Sequence, residues 1–181
     1  MELFEALDEL VITTRFSSEG AFDTQSSNHR FVQFVLDHVP FSGEDVFVDV
    51  GCGVGGVLSL FHDHLGIKVI GVEIDPIIAE MARERVRDMD NVEVVTENIL
   101  NCKSIIQEAT VFYLYNPFNA SVLDRFLELV GSIGRKDVRV IYVNDIFKSV
   151  FEKHHWKSII HSQFARPDKP DLNLSVWIKD A

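Results

Sequence analysis

The chain has 181 residues, 46% of them hydrophobic and 25% charged, a balance that predicts a folded single domain and excludes a disordered one. Lys and Arg number 17 against 28 Asp and Glu, a net charge of −11, split as 11 − 24 = −13 over residues 1–147 and 6 − 4 = +2 over residues 148–181. Nonspecific binding to duplex nucleic acid needs a cationic face and is not expected. No run of ~18 apolar residues is present, and the start, MELFEALDEL, is acidic, so neither a membrane span nor a signal peptide is predicted and the expected location is cytoplasmic. Cys52 and Cys102 lack C-x-x-C spacing and are expected to be free thiols.

In chain order, Leu3, Leu7, Leu10 and Val11 recur at helical spacing and predict an N-terminal helix, packed on the body or on a neighbouring subunit of a homo-oligomer. Residues 17–28, SSEGAFDTQSSN, read as a loop. Ser27 or Asn28 caps a helix carrying Phe31, Val32, Val35 and Val39 that stops at Pro40. Val46–Val50 is a continuous apolar, β-branched run ending in glycines, the pattern of a central parallel strand. A helix with Leu58, Phe61 and Leu65 on one face stops at Gly66, and Ile67–Val72 is a second strand. Asp75 as cap and Pro76 in the first turn open a helix whose stripe is Ile78, Met81, Ala82 and Met89, with Arg83, Glu84, Arg87 and Asp88 facing water.

Val92–Thr96, Val111–Tyr115 and Val138–Val143 are three more strands. The fourth strand is followed by a helix with Leu123, Phe126, Leu127 and Val130, and the fifth by one beginning at Phe147, Val150 and Phe151. Trp156–Phe164 and Leu172–Ile178 have no room for a helix between them and form an antiparallel hairpin. The predicted fold is a doubly wound α/β sheet of seven strands, mostly parallel, closed by that C-terminal hairpin. The domain is expected to comprise residues 1–27, an N-terminal helix and loop, and a core of residues 28–181.

The sharpest feature is VFVDVGCGVGGVLSL, residues 46–60. Glycines between a strand and a helix let the backbone turn tightly and approach a ligand. Gly51, Gly53 and Gly56 satisfy G-x-G-x-x-G, a pattern shared with dinucleotide-binding proteins. Asp49, two residues before the first glycine, argues against a pyrophosphate and suits a ligand carrying an ammonium and a sulfonium. Glu73, at the end of the second strand, is placed to accept two ribose hydroxyls in either ligand class.

Taken together, D-x-G-C-G-x-G, G-V-E-x-D-P and N-P-F at the end of the fourth strand resemble class I (Rossmann-like) S-adenosylmethionine-dependent methyltransferases over about residues 28–178. The motifs look most like small bacterial methyltransferases of undefined substrate, and more distantly like the non-SET histone-lysine methyltransferases. The resemblance implies a sheet order of 3-2-1-4-5-7-6 and S-adenosylmethionine as cofactor. It implies Asp49 near the methionine end, Gly51, Cys52 and Gly53 lending backbone, Glu73 on the ribose and Ile74 on the adenine. It also implies Asn98, with Glu97 as the alternative, at the adenine amine, and Phe22–Ser27 as a lid.

Asn116, Pro117 and Phe118 resemble the N-P-P-[YF] motif of amine-directed methyltransferases, lacking one proline. There the Asn oxygen and the next carbonyl accept protons from the substrate nitrogen, and the aromatic packs on the substrate. The acceptor implied is a small molecule or a polypeptide side chain, nitrogen before oxygen. An ordinary turn with Asn119 as helix cap is the competing interpretation. A hydroxyl acceptor would need a base, for which Asp145 and His161 are candidates; Asp145 is expected first as a helix cap. The histidines show no H-x-x-x-H or Cys/His spacing, so no metal is expected. An NAD(P)-dependent oxidoreductase and a non-catalytic cofactor-binding scaffold are the alternative functions.

Overall fold

The structure, a computed structural model, describes residues 11–13, 15–22, 24–25, 29–135, 137–166 and 169–179. The expected N-terminal helix and the caps Ser27 and Asn28 lie outside the described residues. A two-residue antiparallel ladder pairs Val11–Ile12 with Thr24–Gln25. Seven strands form the main sheet: β1 (Val46–Val50), β2 (Lys68–Glu73), β3 (Val92–Thr96), β4 (Val111–Tyr115), β5 (Arg139–Val143), β6 (Trp156–Arg166) and β7 (Lys169–Lys179). Among the described residues, six helices accompany them: α1 (His29–His38), α2 (Gly56–Leu65), α3 (Pro76–Val86), α4 (Lys103–Glu108), α5 (Ala120–Ser132) and α6 (Lys148–Lys153).

The strand order is 3-2-1-4-5-7-6, with β1 to β5 parallel and β7 antiparallel to both β5 and β6. The strands of the hairpin run further than the sequence predicts, into the stretch expected to be loop. Helix α4 and the 3₁₀ turn Ile99–Asn101 were not predicted. Both are short, the turn capped by Asn98 and the helix without a side-chain cap, so no apolar period announces them.

Alternate residues of each strand point to opposite faces and fill two cores. One face carries Val48, Phe112, Leu114, Tyr142 and Trp177 with α5 and α6. The other carries Phe47, Val69, Tyr113, Ile141 and Leu174 with α1 and α2. Phe47 stacks on Phe61 at 4.0 Å between ring centroids. Burying such an aromatic contributes up to about 3 kcal/mol and anchors α2 on β1, which aims the glycine loop.

The stripe predicted for α3 is rotated. Ile78, Ala79, Ala82 and Val86 face the sheet, while Met81 is exposed and Met89 lies beyond the helix. The reason is close approach: a Cβ on Gly55 would sit 3.3 Å from Ala82, so small residues occupy this contact. Arg83 does not face water alone. Its guanidinium donates to the carbonyl of Val94 and to Thr96 Oγ1, tying α3 to β3.

Because the chain leaves β1 toward β2 on one side and reaches β4 on the other, the strand order reverses at β1. A crevice opens there, at the carboxyl ends of the strands, as the fold class requires.

Candidate active site

The crevice has an open volume of about 700 Å³. Of the residues proposed from the sequence, Gly51, Glu73, Ile74, Asn98, Pro117 and Phe118 line it. Asp49, Cys52, Gly53 and Asn116 are not among its lining residues.

The glycine loop is set by sterics. Gly51 has φ +76°, and a Cβ on it would lie 2.9 Å from Pro117 Cβ, so only glycine lets the loop pass under the end of β4. The loop's front amides are engaged. Gly51 N–H and Cys52 N–H both donate to the Val72 carbonyl at 2.8 and 3.2 Å, and Gly53 N–H donates to Glu73 Oε2 at 3.0 Å.

Glu73, at the end of β2, is buried. Its second oxygen accepts from Asp75 N–H at 3.0 Å, so one carboxylate braces both the glycine loop and the start of α3. Burial, with help from Asp75, pushes its pKa up. Asp49 is buried beside it, and burial together with the Glu73 charge pushes its pKa up to about 8. Two carboxylates held against their preference for water make a site that a cation would relieve.

The end of β3 differs from the expectation for the adenine amine. Asn98 Oδ1 accepts from Leu100 N–H at 3.0 Å and caps the 3₁₀ turn. Glu97 accepts from Asn98 N–H and from Asn101 Nδ2. Both residues line the crevice, as does the buried Ile99 that follows them.

At the end of β4, Asn116 adopts φ +42°, and its Oδ1 accepts from Tyr142 Oη at 2.9 Å. The Pro117 carbonyl accepts from Phe22 N–H at 2.9 Å. Phe118 is buried, tilted against Phe126 at 5.9 Å, with one side on the crevice. Asn119 caps α5, its Oδ1 accepting from Val122 N–H at 3.1 Å. The turn and cap of the competing interpretation are therefore present, alongside an Asn side chain fixed at the strand end.

Of residues 15–22, the sequence marks 17–22 as part of a loop and Phe22 as the start of a lid, and gives no role to Arg15. Glu19, Ala21 and Phe22 line the crevice, and Ala21 bridges Phe118 in antiparallel fashion. Arg15 forms a two-nitrogen contact with Asp75, at 3.0 Å from Nε and 2.6 Å from Nη2. Most of the expected lid beyond Phe22 lies outside the described residues.

Asp145 does not cap α6. That helix begins at Lys148 with Phe147 as its cap residue and no side-chain cap. Asp145 is buried, and one of its carboxylate oxygens has no hydrogen-bond partner. His161 Nε2 lies 3.9 Å from it. Among the described residues, no group of three or more His, Cys, Asp or Glu is arranged to hold a metal ion. None of the described helices is long and apolar enough to cross a membrane.

A family profile described as "Methyltransferase domain" matches residues 47–131, from β1 through α5. Geranyl diphosphate 2-C-methyltransferase of Streptomyces lasalocidi is 36% identical over 70 residues, 38% of this chain and 23% of that protein. Ribosomal protein L11 methyltransferase of Clostridium botulinum is 43% identical over 56 residues, 29% of this chain and 18% of that protein. The chain thus spans about a quarter or less of these curated relatives.

Among solved structures, precorrin-6y C5,15-methyltransferase from Geobacter metallireducens superposes with a TM-score of 0.69 at 10% identity, covering 86% of this chain and 90% of that one. An RNA methyltransferase from Salinibacter ruber, solved with S-adenosyl-L-homocysteine, gives 0.65 at 21% identity, covering 84% and 92%. The acceptors of these proteins differ, so they carry the fold and no substrate. Sheet order and structural neighbours show the fold, and the family profile over residues 47–131 makes this chain similar to the class I S-adenosylmethionine-dependent methyltransferases, with its acceptor undefined.

Proposed function

We propose that the chain transfers a methyl group from S-adenosylmethionine to a nitrogen acceptor on a small molecule or a polypeptide side chain. The observation that carries the cofactor assignment is the pair of buried carboxylates, Asp49 and Glu73, on either side of a glycine loop whose front amides are already engaged. A pyrophosphate would find no free N–H on Gly51, Cys52 or Gly53 and would face two carboxylates. A ligand with an ammonium, a sulfonium and a ribose diol fits the same groups, and this weighs against a nicotinamide dinucleotide.

When bound, S-adenosylmethionine supplies an activated methyl on sulfur, so the protein's task is alignment. Glu73 would hold the ribose, Ile74 would pack on the adenine, and Asn98 or Glu97 would meet the adenine amine. Asp49 would sit behind the methionine end. Asn116 Oδ1, held by Tyr142, keeps one lone pair for the acceptor, which supports nitrogen as the acceptor atom.

The occupied Pro117 carbonyl favours a second reading, in which the acceptor is a hydroxyl and the nitrogen-orienting pair is incomplete. The cofactor assignment is tested by calorimetry with S-adenosylhomocysteine and NADH. Binding of the first alone is expected. Binding of NADH alone would give the crevice to a dinucleotide. Binding of S-adenosylhomocysteine without turnover on any acceptor would favour a scaffold.

A further inference from the structure

A buried carboxylate oxygen without a hydrogen-bond partner needs an explanation, because natural chains retain few of them. Asp145 Oδ2 is such an atom. The bland explanation, helix capping, fails because α6 begins three residues later without a side-chain cap. His161 Nε2 stands 3.9 Å away, just outside hydrogen-bond distance, on a side chain that is half exposed. The inner group of the pair is therefore sealed and the outer one is open to solvent.

The pair lies at the same sheet edge as the end of β4. Asp145 follows β5, whose Tyr142 donates to Asn116 Oδ1. The Asp145 charge contributes, after burial, to pushing the Tyr142 hydroxyl pKa up. Two residues after Asp145, Phe147 stacks on Phe22 at 6.3 Å, and Phe22 lines the crevice. His161 reaches Asp145 from β6, across β7, where it is paired with Ser175.

We infer that His161 is the group that takes the acceptor's proton, and that Asp145 is its positioning residue. This rests on the methyltransferase reading above. A primary amine arrives mostly as an ammonium at neutral pH, since its pKa is about 10.4, and a hydroxyl arrives protonated. Either must lose a proton to expose its attacking pair. A closing movement of about 1 Å would let His161 Nε2–H donate to Asp145 Oδ2, which fixes the tautomer and leaves the Nδ1 lone pair free. The acceptor's proton passes to Nδ1. The acceptor's lone pair then forms the bond to the methyl carbon as the carbon–sulfur bond breaks, and that pair returns to sulfur, which becomes neutral.

The test uses the full chain with S-adenosylmethionine and two probes at high concentration, benzylamine as a primary amine and phenol as a hydroxyl. Methylated product is measured between pH 5 and 9, with S-adenosylhomocysteine affinity measured in parallel. The wild-type chain is expected to methylate at least one probe, with a rate that rises through one ionisation. His161→Gln should lower kcat about 100-fold or more, the usual range for losing an acid–base group, with S-adenosylhomocysteine affinity unchanged. Asp145→Asn, close in shape to the native residue, should lower kcat and move that ionisation to lower pH, a displacement that a purely structural role would not produce.

An unchanged rate and pH profile in His161→Gln overturns the inference. So does a wild-type chain that binds S-adenosylhomocysteine yet methylates neither probe. A chain that fails to bind S-adenosylhomocysteine overturns the underlying methyltransferase reading instead, and this inference with it.

Discussion

Phe22 donates its backbone N–H to the carbonyl of Pro117 at 2.9 Å, the carbonyl that an amine-directed site would keep for its substrate. The chain N-terminal to α1 thereby closes on the end of β4, while Arg15 grips Asp75 beyond the end of β2. The two contacts span the crevice from one wall to the other. For Pro117 to address a substrate with its full acceptor capacity, Phe22 must lift.

Arg15→Ala should loosen that strap without unfolding the chain, because the guanidinium is largely exposed and the buried Asp75 keeps its hydrogen bond from Ile77 N–H. The expected result is a few-fold faster dissociation of S-adenosylhomocysteine by stopped-flow. Identical dissociation in both proteins would show that residues 15–22 do not gate the crevice. Asp75, whose pKa the Arg15 hydrogen bond holds below the usual carboxylate range, should titrate closer to that range in the variant.

Gly51→Ala forces a side chain into a left-handed backbone and against Pro117. The strain is about 1–2 kcal/mol from the backbone alone. Urea unfolding should show a loss of at least that size, and calorimetry should show S-adenosylhomocysteine binding weakened by more than tenfold. A variant of native stability would mean that the loop and β4 can separate freely.

Glu73 carries two tasks, so two substitutions separate them. Glu73→Gln keeps the shape but has one carbonyl oxygen to serve the Gly53 and Asp75 amides, and it loses the charge. Cofactor affinity should fall at least tenfold while the fold survives. Glu73→Ala leaves both buried amides unpaired, at about 1–3 kcal/mol each, and should lower the melting temperature as well. Equal melting temperatures for the two variants would remove the bracing role.

Asp49 makes stability depend on pH in an unusual direction. An unfolded Asp loses its proton near 3.9, whereas burial and the Glu73 charge hold the folded group's pKa up at about 8. Between these values the folded chain binds more protons than the unfolded one, so stability falls as pH rises from about 4 to 8. Glu73, also pushed up by burial, adds to the same slope. Asp49→Asn should flatten the fall in thermal melts across that window. The stabilisation conferred by S-adenosylhomocysteine should be larger at pH 8 than at pH 6, since its ammonium favours the charged carboxylate. A wild-type curve that rises with pH would contradict this account of Asp49.

The strand order was legible only through the family resemblance, whereas the strands and the glycine loop were legible because each rests on local chemistry, β-branched runs and a strand-to-helix glycine cluster. Asp75-Pro76 was legible for the same reason, and Asp75 does accept from Ile77 and Ile78 N–H. What failed depended on distance in the chain. The buried face of α3 is chosen by Gly55, which presses on Ala82 from another element, so Met81 could not be excluded by period alone. Asp145 reads as a cap from its neighbours, and only the hairpin, which brings His161 to it, gives it a different setting. Arg15 had no signal at all, since its partner is 60 residues away.

The strap made by residues 15–22 also has a place in the order of assembly. Its anchors, Asp75 and the Pro117–Asn119 turn, become neighbours only after β1, β2 and β4 stand side by side. Until then Arg15 and Phe22 have nothing to dock on, so this segment settles last and lets go first. Its protection from hydrogen exchange is therefore expected to come from local opening, at a cost well below global unfolding. The Phe22 amide should take up deuterium long before the amides of β4, although the two are joined through a single residue, Pro117, whose carbonyl receives it.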